Sequence, residues 1–381
     1  MNECWISLGS NYESAYNFKQ AYDLLTELFN GITWSPAITT KPVGINNPAF
    51  FLNQVGYFKS EYSKKKIVSL LKAIELRIGR RDEDKAKEIV RIDLDLLIYN
   101  EDYIKREDLE RDYVQKGIRE INMSKKVLSF VGIIPARYAS TRFPAKPLAF
   151  LGGKQVIQHV YEQVSKVLDT VYVATDDQRI VEAVEAFGGK VVMTSSTHKS
   201  GTDRCREAVE KIGQSFDVVI NIQGDEPFIQ PSQLKTLMEC FSDIQTQIAT
   251  LVKPFSEKSD WKDLQNANSP KVVIDSNDFA LYFSRSVIPY IRGEEQEKWL
   301  NQHVFYKHIG LYAYRLEVLN EITSLPQSSL ELAESLEQLR WIENGYKIKV
   351  GQTNVETIGI DTPEDLEKAE KHLEQINKKE A

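Results

Sequence analysis

The segment VLSFVGIIPARYASTRFPAKPLAF, residues 127–150, decides the fold of the longer part of the chain. It begins with an apolar run, Leu128 to Ile134, that is typical of a strand buried on both faces, and it continues into a loop of cations and small residues. Arg137, Arg142 and Lys146 stand in that loop. A loop that wraps a polyphosphate needs such cations and a close approach of the backbone, so the segment predicts an anion-binding turn after a strand. A solvated basic loop is the alternative interpretation.

Three further apolar runs follow this segment and alternate with helical stretches. They are Val171 to Ala174, Lys190 to Met193 and Val218 to Ile222. The alternation predicts an α/β fold with a doubly wound, mostly parallel, Rossmann-like sheet. Ligands bind such sheets outside the carboxyl ends of the strands, so we expect functional side chains in the loops that follow these four strands.

Two acidic residues are candidates for a metal site. Asp225 lies in NIQGDEP, residues 221–227, at the end of the fourth strand, and Asp361 lies in GIDTPEDLEKA. Mg²⁺ prefers one or two carboxylates together with phosphate oxygens, which both residues could supply. Turn formation is the alternative for Asp225, and a helix start with Thr362 and Pro363 is the alternative for Asp361. Both interpretations of Asp361 are compatible.

The first hundred residues follow a different pattern. The expected elements, in order, are a strand from Cys4 to Leu8, a helix with Tyr16 to Leu28 on its stripe, strands from Ile32 to Thr39 and from Phe50 to Phe58, a helix from Lys64 to Ile78 and a strand from Val90 to Tyr99. This β-α-β-β-α-β order predicts a ferredoxin-like α+β domain, an antiparallel sheet covered by two helices. A charge-rich stretch without a clear strand follows, and we place the domain boundary after it, giving domains 1–122 and 123–381.

The composition limits the function classes. A chain of 381 residues exceeds one typical domain, and 42% hydrophobic with 27% charged residues is ordinary for soluble globular proteins. The net charge of −7 argues against nucleic-acid binding. The three cysteines are too few and scattered for a disulfide framework or a thiolate zinc site.

Motifs that are absent from the sequence exclude further classes. Neither GxxxxGK[ST] nor GxGxxG occurs, which argues against a P-loop enzyme and a dehydrogenase. Glu3 stands where a signal peptide would need basic residues, and no run approaches about 20 apolar residues. We therefore expect a cytoplasmic protein without a nucleic-acid or membrane partner.

The longer part resembles a known family over about Lys126 to Leu373. The phrases that carry the resemblance are ARYASTRFPAKPL, VATDD, SGTDR, NIQGDEP, ALYFSR, HIGLYAY, LEQLR and GIDTPEDL, in this order and spacing. They resemble the 3-deoxy-manno-octulosonate (Kdo) cytidylyltransferases, or CMP-Kdo synthetases. The resemblance implies that the anomeric hydroxyl of Kdo attacks the α-phosphate of CTP, giving CMP-Kdo and diphosphate for lipopolysaccharide synthesis. It also implies Mg²⁺ as cofactor and a homodimer formed through the C-terminal domain.

The same resemblance assigns site residues. Those implied for the triphosphate and the nucleotide are Arg137, Arg142, Lys146, Ser200, Gly201 and Thr202, with Asp225 and Asp361 for Mg²⁺. Those implied for the sugar are Gln223, Arg285, Arg292, His308, Tyr312, Glu337 and Gln338. An acidic sugar suits this set, because its carboxylate favours arginine and its hydroxyls favour neutral and acidic hydrogen-bonding groups. A structural role for His308 and a solvated helix face for Glu337 and Gln338 are the alternatives. Lys146, Asp225, Asp361 and Arg137 are the predicted catalytic residues.

The first hundred residues resemble the 6-hydroxymethyl-7,8-dihydropterin pyrophosphokinases. The matching phrases are SLGSN at 7–11, TTKPVG at 39–44, FFLNQV at 50–55, IELRIGRR at 74–81 and RIDLDLLIYN at 91–100. The resemblance implies ATP and hydroxymethyldihydropterin as ligands, Mg²⁺ at Asp93 and Asp95, and ATP contacts from Glu75 and Arg91. The residues that it implies for the pterin are Thr40, Pro42, Val43, Gly44, Asn53 and, stacking on the ring, Phe51.

Both resemblances have departures. Ala145 stands where the transferase family usually has glycine, and we expect it to be tolerated. The kinase family continues with a Pro-His element and an Arg-x-Phe segment, which this sequence lacks, with Tyr113 and Arg119 as candidate replacements. A weakened kinase and a structural remnant both stay open for this part. For the longer part, the alternatives are a transferase for another acidic sugar, with an inactive N-terminal remnant, and a non-catalytic nucleotide or glycan sensor.

Overall fold

A computed structural model of the chain describes residues 1–42, 44, 46–79, 81–125, 127–139, 142–255, 259–356 and 358–380. The chain forms two compact units, unit 1 (Met1–Lys126) and unit 2 (Val127–Ala381). The predicted division at residues 122 and 123 falls within the last helix of unit 1. Among the described residues, no helix combines the length and the apolar composition that crossing a membrane requires.

Unit 1 contains one antiparallel sheet. Its strands are β1 (Asn2–Ser10), β2 (Thr33–Trp34), β3 (Ile38–Thr40), β4 (Phe51–Ser60), β5 (Asp93–Tyr99) and β6 (Asp102–Tyr103). They lie in the order β2-β4-β1-β5-β6, and β3 also pairs with β4. The single strand predicted from Ile32 to Thr39 is wrong, because Pro36, which has no N–H to donate, lies between β2 and β3. The short strand β6 was not predicted.

Helices cover both faces of this sheet. They are α1 (Ser14–Leu28), α2 (Lys64–Ile78), α3 (Asp82–Ala86), α4 (Arg106–Leu109) and α5 (Asp112–Lys125). Alternate residues of β1 point to opposite faces, so Ile6 and Leu8 pack in one cluster with residues of α1 and α2. Trp5 packs in a second cluster, with Val114 and Ile121 of α5. The second helical layer comes from the charge-rich stretch, in which we predicted no element.

Unit 2 contains a mixed sheet. Its strands, together with those of one small hairpin, are β7 (Phe130–Ala136), β8 (Phe150–Leu151), β9 (Lys154–Gln155), β10 (Val171–Thr175), β11 (Val191–Met193), β12 (Val218–Asn221), β13 (Ile248–Pro254), β14 (Lys271–Ile274), β15 (Ala280–Ser284), β16 (Tyr306–Arg315) and β17 (Ile348–Gln352). The order is β11-β10-β7-β12-β16-β13-β17, with β14 pairing β16 and β15. The four predicted strands, β7, β10, β11 and β12, are parallel. The prediction of a mostly parallel sheet needs correction, because β16 runs antiparallel to both β12 and β13.

The helices of unit 2 pack on both faces of the sheet. They are α6 (Val156–Val164), α7 (Gln178–Ala186), α8 (Gly201–Ile212), α9 (Pro231–Glu239), α10 (Trp261–Gln265), α11 (Trp299–Gln302), α12 (Leu316–Ile322), α13 (Ser329–Glu334), α14 (Glu337–Glu343) and α15 (Pro363–Glu380). Residues of α6 and α9 contribute to one buried cluster, and those of α8, α12 and α14 to the other. Gly152 and Gly153 form the turn between β8 and β9, ahead of α6, with φ of 55° and 89°. The helix begins at Val156.

Candidate active site beyond the parallel strands

The cationic loop after β7 folds back on itself. The Ala145 N–H donates to the Tyr138 carbonyl at 2.9 Å, and a 3₁₀ turn begins at Lys146. Ala145 has a φ of 60°, in the left-handed region that favours glycine. This conformation gives a physical reason for the glycine of the resembling family, and it shows that the backbone turn forms with alanine as well.

Lys146 joins the two predicted metal carboxylates. Its Nζ donates to Asp361 Oδ1 at 3.0 Å and to Asp225 Oδ2. Arg142 adds a second cation, with Nη1 at 3.1 Å from Asp361 Oδ2. Burial alone would lower the pKa of the Lys146 ammonium, but the two carboxylates outweigh it and raise that pKa above its ordinary value. The structure thus brings together four residues of the predicted triphosphate and metal groups, which are Arg142, Lys146, Asp225 and Asp361.

The backbone explains why the two aspartates approach each other. A Cβ on Gly224 would lie 2.8 Å from the Pro135 carbonyl oxygen, so glycine permits the loop after β12 to approach the end of β7. The Ile360 N–H donates to the Asp225 carbonyl at 2.9 Å, which fixes the segment that carries Asp361. The helix-start interpretation of Asp361 is confirmed, because α15 begins two residues later at Pro363, and the metal role of Asp361 stays a prediction.

These residues fit a magnesium ion. Two carboxylates from separate loops reach one ammonium, and carboxylate oxygens are the protein ligands that Mg²⁺ prefers. Within the described ranges, no group of three or more His, Cys, Asp or Glu side chains is arranged to hold a metal ion. Such an ion would therefore need phosphate oxygens and water to complete its coordination.

The predicted nucleotide residues gather at the amino end of α8. Ser200 caps the helix and forms a reciprocal capping box with Asp203. A Cβ on Gly201 would lie 3.5 Å from the Pro135 ring, which places this helix end beside the end of β7. Arg137 Nη2 donates to the His198 carbonyl in the loop that precedes α8. The amino end of a helix and its unpaired N–H groups favour anions, so this position suits residues that are predicted to bind a nucleotide.

A chain of hydrogen bonds leads from this helix end to α14. Thr202 Oγ1 donates to Glu337 Oε2 at 2.7 Å, and Arg340 Nη2 donates to Glu337 Oε1 at 2.7 Å. Burial raises the pKa of the Glu337 carboxyl above its usual range. Gln338 is buried, so the solvated-face interpretation is wrong for it. Arg340 was missed because its position, one turn after Glu337, indicates no function by itself.

The predicted sugar residues form a partly buried polar group. Gln223 Nε2 donates to the Gly310 carbonyl at 3.2 Å, and His308 Nε2 lies 3.0 Å from Thr250 Oγ1. Burial lowers the pKa of His308 to about 3. The ring of Tyr312, which is buried, lies 5.3 Å from that of His308. These residues and α14 thus place neutral hydrogen-bonding groups on one side of unit 2.

Two buried donors near α14 lack a partner. Among the described residues, neither Gln338 Nε2 nor Trp341 Nε1 has a hydrogen-bond acceptor. Buried donors are almost always paired, so unpaired ones call for a ligand or water as acceptor. Trp341 was not predicted, since a tryptophan in an apolar helical stripe is typical of a core.

The two predicted arginines are not equivalent. Arg285 donates through Nε, Nη1 and Nη2 to the carbonyls of Glu334, Ala267 and Ser335, at 2.6, 2.8 and 3.3 Å. Its guanidinium therefore holds protein backbone. Arg292 is exposed in the segment between β15 and α11.

Unit 1 gathers its predicted metal residues around a lysine. Lys72 Nζ lies 2.6 Å from Glu75 Oε1, 3.5 Å from Asp95 Oδ1 and 3.8 Å from Asp93 Oδ1. Lys105 Nζ lies 3.2 Å from Asp95 Oδ2. Buried Glu75 also accepts the Leu94 N–H at 2.8 Å. The donor set suits Mg²⁺, but the ion would compete with two ammonium groups that the sequence did not reveal.

The remaining predicted residues of unit 1 fall into two groups. A cavity of about 320 Å³ is lined in part by Phe51, Arg91 and Asp93. The Arg91 guanidinium lies over the Tyr12 ring at 4.9 Å and pairs with Asp84. Asn53 Nδ2 donates to Thr40 Oγ1 at 2.8 Å. The others lie as follows: Pro42 partly buried, Gly44 exposed with a φ of 74°, Tyr113 and exposed Arg119 on α5, and Val43 outside the described residues.

Comparisons with known proteins agree with both resemblances. Residues 131–348 match the family described as cytidylyltransferase, and residues 5–149 match that of 7,8-dihydro-6-hydroxymethylpterin-pyrophosphokinase. The 3-deoxy-manno-octulosonate cytidylyltransferases of Bacteroides thetaiotaomicron and Phocaeicola vulgatus are 72% and 71% identical over 246 and 248 residues, each covering 65% of this chain and 98% of the relative. A solved structure of CMP:2-keto-3-deoxy-manno-octonic acid synthetase complexed with CTP is 43% identical, with a TM-score of 0.60, covering 65% of this chain and 99% of that one. Both resemblances are confirmed, and since the first match spans more than half of its length, this chain belongs to the cytidylyltransferase family.

Proposed function

We propose that unit 2 transfers the CMP group of CTP to Kdo for lipopolysaccharide synthesis. The anomeric oxygen of Kdo forms a bond to the α-phosphorus, the bond from that phosphorus to the diphosphate oxygen breaks, and the hydroxyl proton passes to solvent. The observation that carries the proposal is the cluster of Lys146, Arg142, Asp225 and Asp361 beyond parallel strands. The names of the relatives support CTP and Kdo as the substrates.

The residues of the cluster divide the work of phosphoryl transfer, which needs mainly positioning and neutralisation of charge. Arg137, Arg142 and Lys146 bind and orient the triphosphate. Asp225 and Asp361 would hold Mg²⁺, which when bound supplies positive charge to the phosphate oxygens. The capped amino end of α8, with Ser200, Gly201 and Thr202, would bind the nucleotide through backbone N–H groups.

The sugar side would be formed by the partly buried polar residues of β16 and α14. His308 stays neutral at physiological pH, so it can exchange hydrogen bonds with sugar hydroxyls without adding charge. The unpaired Nε2 of Gln338 is a donor for such a hydroxyl. Arg292, which is exposed, would contact the carboxylate, while Arg285 would first have to leave its three carbonyls.

For unit 1 we propose a ferredoxin-like pterin pyrophosphokinase domain. The order β2-β4-β1-β5 with α1 and α2 supports the fold, and the family match supports the ligands ATP and hydroxymethyldihydropterin. Asp93 and Asp95 would hold Mg²⁺ once it displaces the ammonium of Lys72. The position of that ammonium among the carboxylates supports the alternative, a structural remnant without kinase activity. Formation of AMP from ATP only in the presence of the pterin would distinguish an active kinase from such a remnant.

We further propose a cytoplasmic homodimer that associates through unit 2. Three large apolar side chains, Leu281, Tyr290 and Val304, are more than half exposed in the β15 to β16 region and support such an association. Sedimentation of the full chain should give twice the monomer mass. A monomer at micromolar concentration would contradict this proposal without affecting the catalytic one.

Diphosphate release from CTP, Kdo and Mg²⁺ tests the transferase proposal. We expect turnover with CTP and little with ATP, and Asp225→Asn should abolish turnover while CTP binding survives. Equal turnover with ATP would contradict the proposal, and CTP binding without any turnover by the unmodified chain would favour the sensor alternative. Competing Kdo against other acidic sugars for CMP transfer decides between Kdo and the second substrate hypothesis.

A further inference from the structure

Helix α8 holds the loop that precedes it through three side chains. Arg204 Nη1 donates to Thr194 Oγ1 at 2.6 Å, and Lys211 Nζ donates to the Met193 carbonyl at 2.9 Å. Between them, Glu207 accepts the Ser195 N–H at 2.9 Å. The spacing of 204, 207 and 211 places these side chains on one face of the helix. One face of α8 is therefore used to fix residues 193–198.

Glu207 has the largest number of these contacts. Its Oε2 also bonds His198 Nε2, and its Oε1 lies 2.8 Å from Lys211 Nζ. Burial would raise the pKa of this carboxyl, but the hydrogen bonds from Lys211, Ser195 and His198 lower it to about 2. Glu207 is thus ionised at physiological pH and ties the loop to α8 at two residues.

The loop in turn holds one of the proposed triphosphate ligands. The main-chain carbonyl of His198 accepts a hydrogen bond from Arg137 Nη2. Two residues later, Ser200 caps α8. A shift of His198 would therefore move the acceptor that orients the Arg137 guanidinium, although no atom of Glu207 needs to approach the nucleotide.

We infer that His198 and Glu207 form a positioning pair, which fixes the His198 carbonyl so that Arg137 is aimed at the triphosphate of CTP. The inference rests on the proposed function, because it takes Arg137 as a ligand of CTP. Neither residue is assigned a contact with substrate. Their removal should therefore weaken CTP binding while leaving the chemical step nearly unchanged.

The test uses the full chain with His198→Ala, Arg137→Ala and the double variant. We expect His198→Ala to raise the KM for CTP by about fivefold to tenfold, with kcat changed by less than about threefold. In the Arg137→Ala background the same change should add less than about twofold, since residues that act through one another are not additive. The control is Glu162→Gln on α6, which breaks the exposed ion pair between Glu162 and Lys154 of β9. It should leave the KM for CTP unchanged.

Two outcomes would overturn the inference. One is an unchanged KM for CTP in His198→Ala, and the other is a full multiplication of the two effects in the double variant. If His198→Ala unfolds, Glu207→Gln replaces it, and its CTP affinity by calorimetry must fall. If the unmodified chain binds no CTP, the proposed function fails first, which separates that failure from failure of the pair.

Discussion

Replacing Lys146 by methionine should separate the two roles of its ammonium. The substitution keeps most of the apolar stem and removes the charge that contacts Asp225 and Asp361. Without that charge, the carboxylates have one fewer competitor for a divalent cation, but the triphosphate loses a ligand. We therefore expect Mn²⁺ to bind unit 2 more tightly and turnover to fall.

The structure also sets the size of the expected losses in stability and in activity. Two unit charges about 4 Å apart interact by roughly 4 kcal/mol at an effective dielectric constant of about 20. The side chains of Asp225 and Asp361 are 28% and 46% exposed, so solvent screens much of this interaction. We expect a loss of about 1–2 kcal/mol in the free energy of unfolding of unit 2. Loss of one preorganised charged donor at the transferring group should lower kcat/KM by about 10²–10³-fold.

Calorimetric Mn²⁺ titration, diphosphate release and thermal unfolding measure the three quantities in the same preparation. Lys154→Met is a matched control, because Lys154 also pairs with a carboxylate, that of Glu162 on α6, but lies on the exposed hairpin strand β9. It should leave metal affinity and turnover unchanged. The reasoning is refuted if Lys146→Met keeps more than about a tenth of the activity, or if its Mn²⁺ affinity does not rise.

Three other predictions concern single residues. The pKa of His308 in the folded state, about 3, lies below the ordinary value of 6.5, so unit 2 should lose stability as the pH falls below about 6.5, by at most about 1.4 kcal/mol per pH unit. Urea unfolding at pH 7 and pH 5 measures this slope, and His308→Gln should flatten it. An unchanged slope in the variant would contradict the prediction. Gly224→Ala should lower kcat/KM at least about tenfold by forcing the loops after β7 and β12 apart; an activity equal to that of the unmodified chain would argue against the close approach. Lys72→Gln should raise the Mn²⁺ affinity of the carboxylates of β5 by about tenfold, because the Lys72 ammonium competes with the metal for their oxygens. Lys64→Gln on the same helix is the control, and equal Mn²⁺ affinities of the two variants would contradict this competition.

Local patterns in the sequence were sufficient to predict the parallel half of unit 2. The apolar run that becomes β7 is buried on both faces, and the runs for β10 and β12 have the same character, whereas β11 lies at the sheet edge and is only partly buried. The four strands and the loops beyond them therefore followed from the apolar pattern. The direction of β16 could not follow in this way. Its side chains alternate in the same manner whether it runs parallel or antiparallel to β12. Its direction follows from its antiparallel pairing with β12 and β14, which joins residues far apart in the sequence.

The candidate site shows the same limit for individual side chains. Asp225 and Asp361 could be chosen as candidates because each lies in a motif, NIQGDEP or GIDTPEDLEKA, but their approach to Lys146 depends on the backbone contact at Gly224. The family resemblance implied Arg285 as a ligand of the sugar, whereas its partners in the structure are backbone carbonyls. A sequence states which groups are present, and the carbonyls that compete for them become known only when the chain is folded.

The two units use the same arrangement of charge. In unit 1 the ammonium of Lys72 lies among three carboxylates, and in unit 2 that of Lys146 lies between two. An ammonium stabilises carboxylates that would otherwise repel one another, and it also competes with a divalent cation for their oxygens. A polyphosphate resolves the competition, because its oxygens attract the lysine while the metal bridges phosphate and carboxylate. Metal affinity in both units should therefore depend on nucleotide, and metal titrations with and without CTP or ATP would reveal this coupling as a tighter binding of each ligand in the presence of the other.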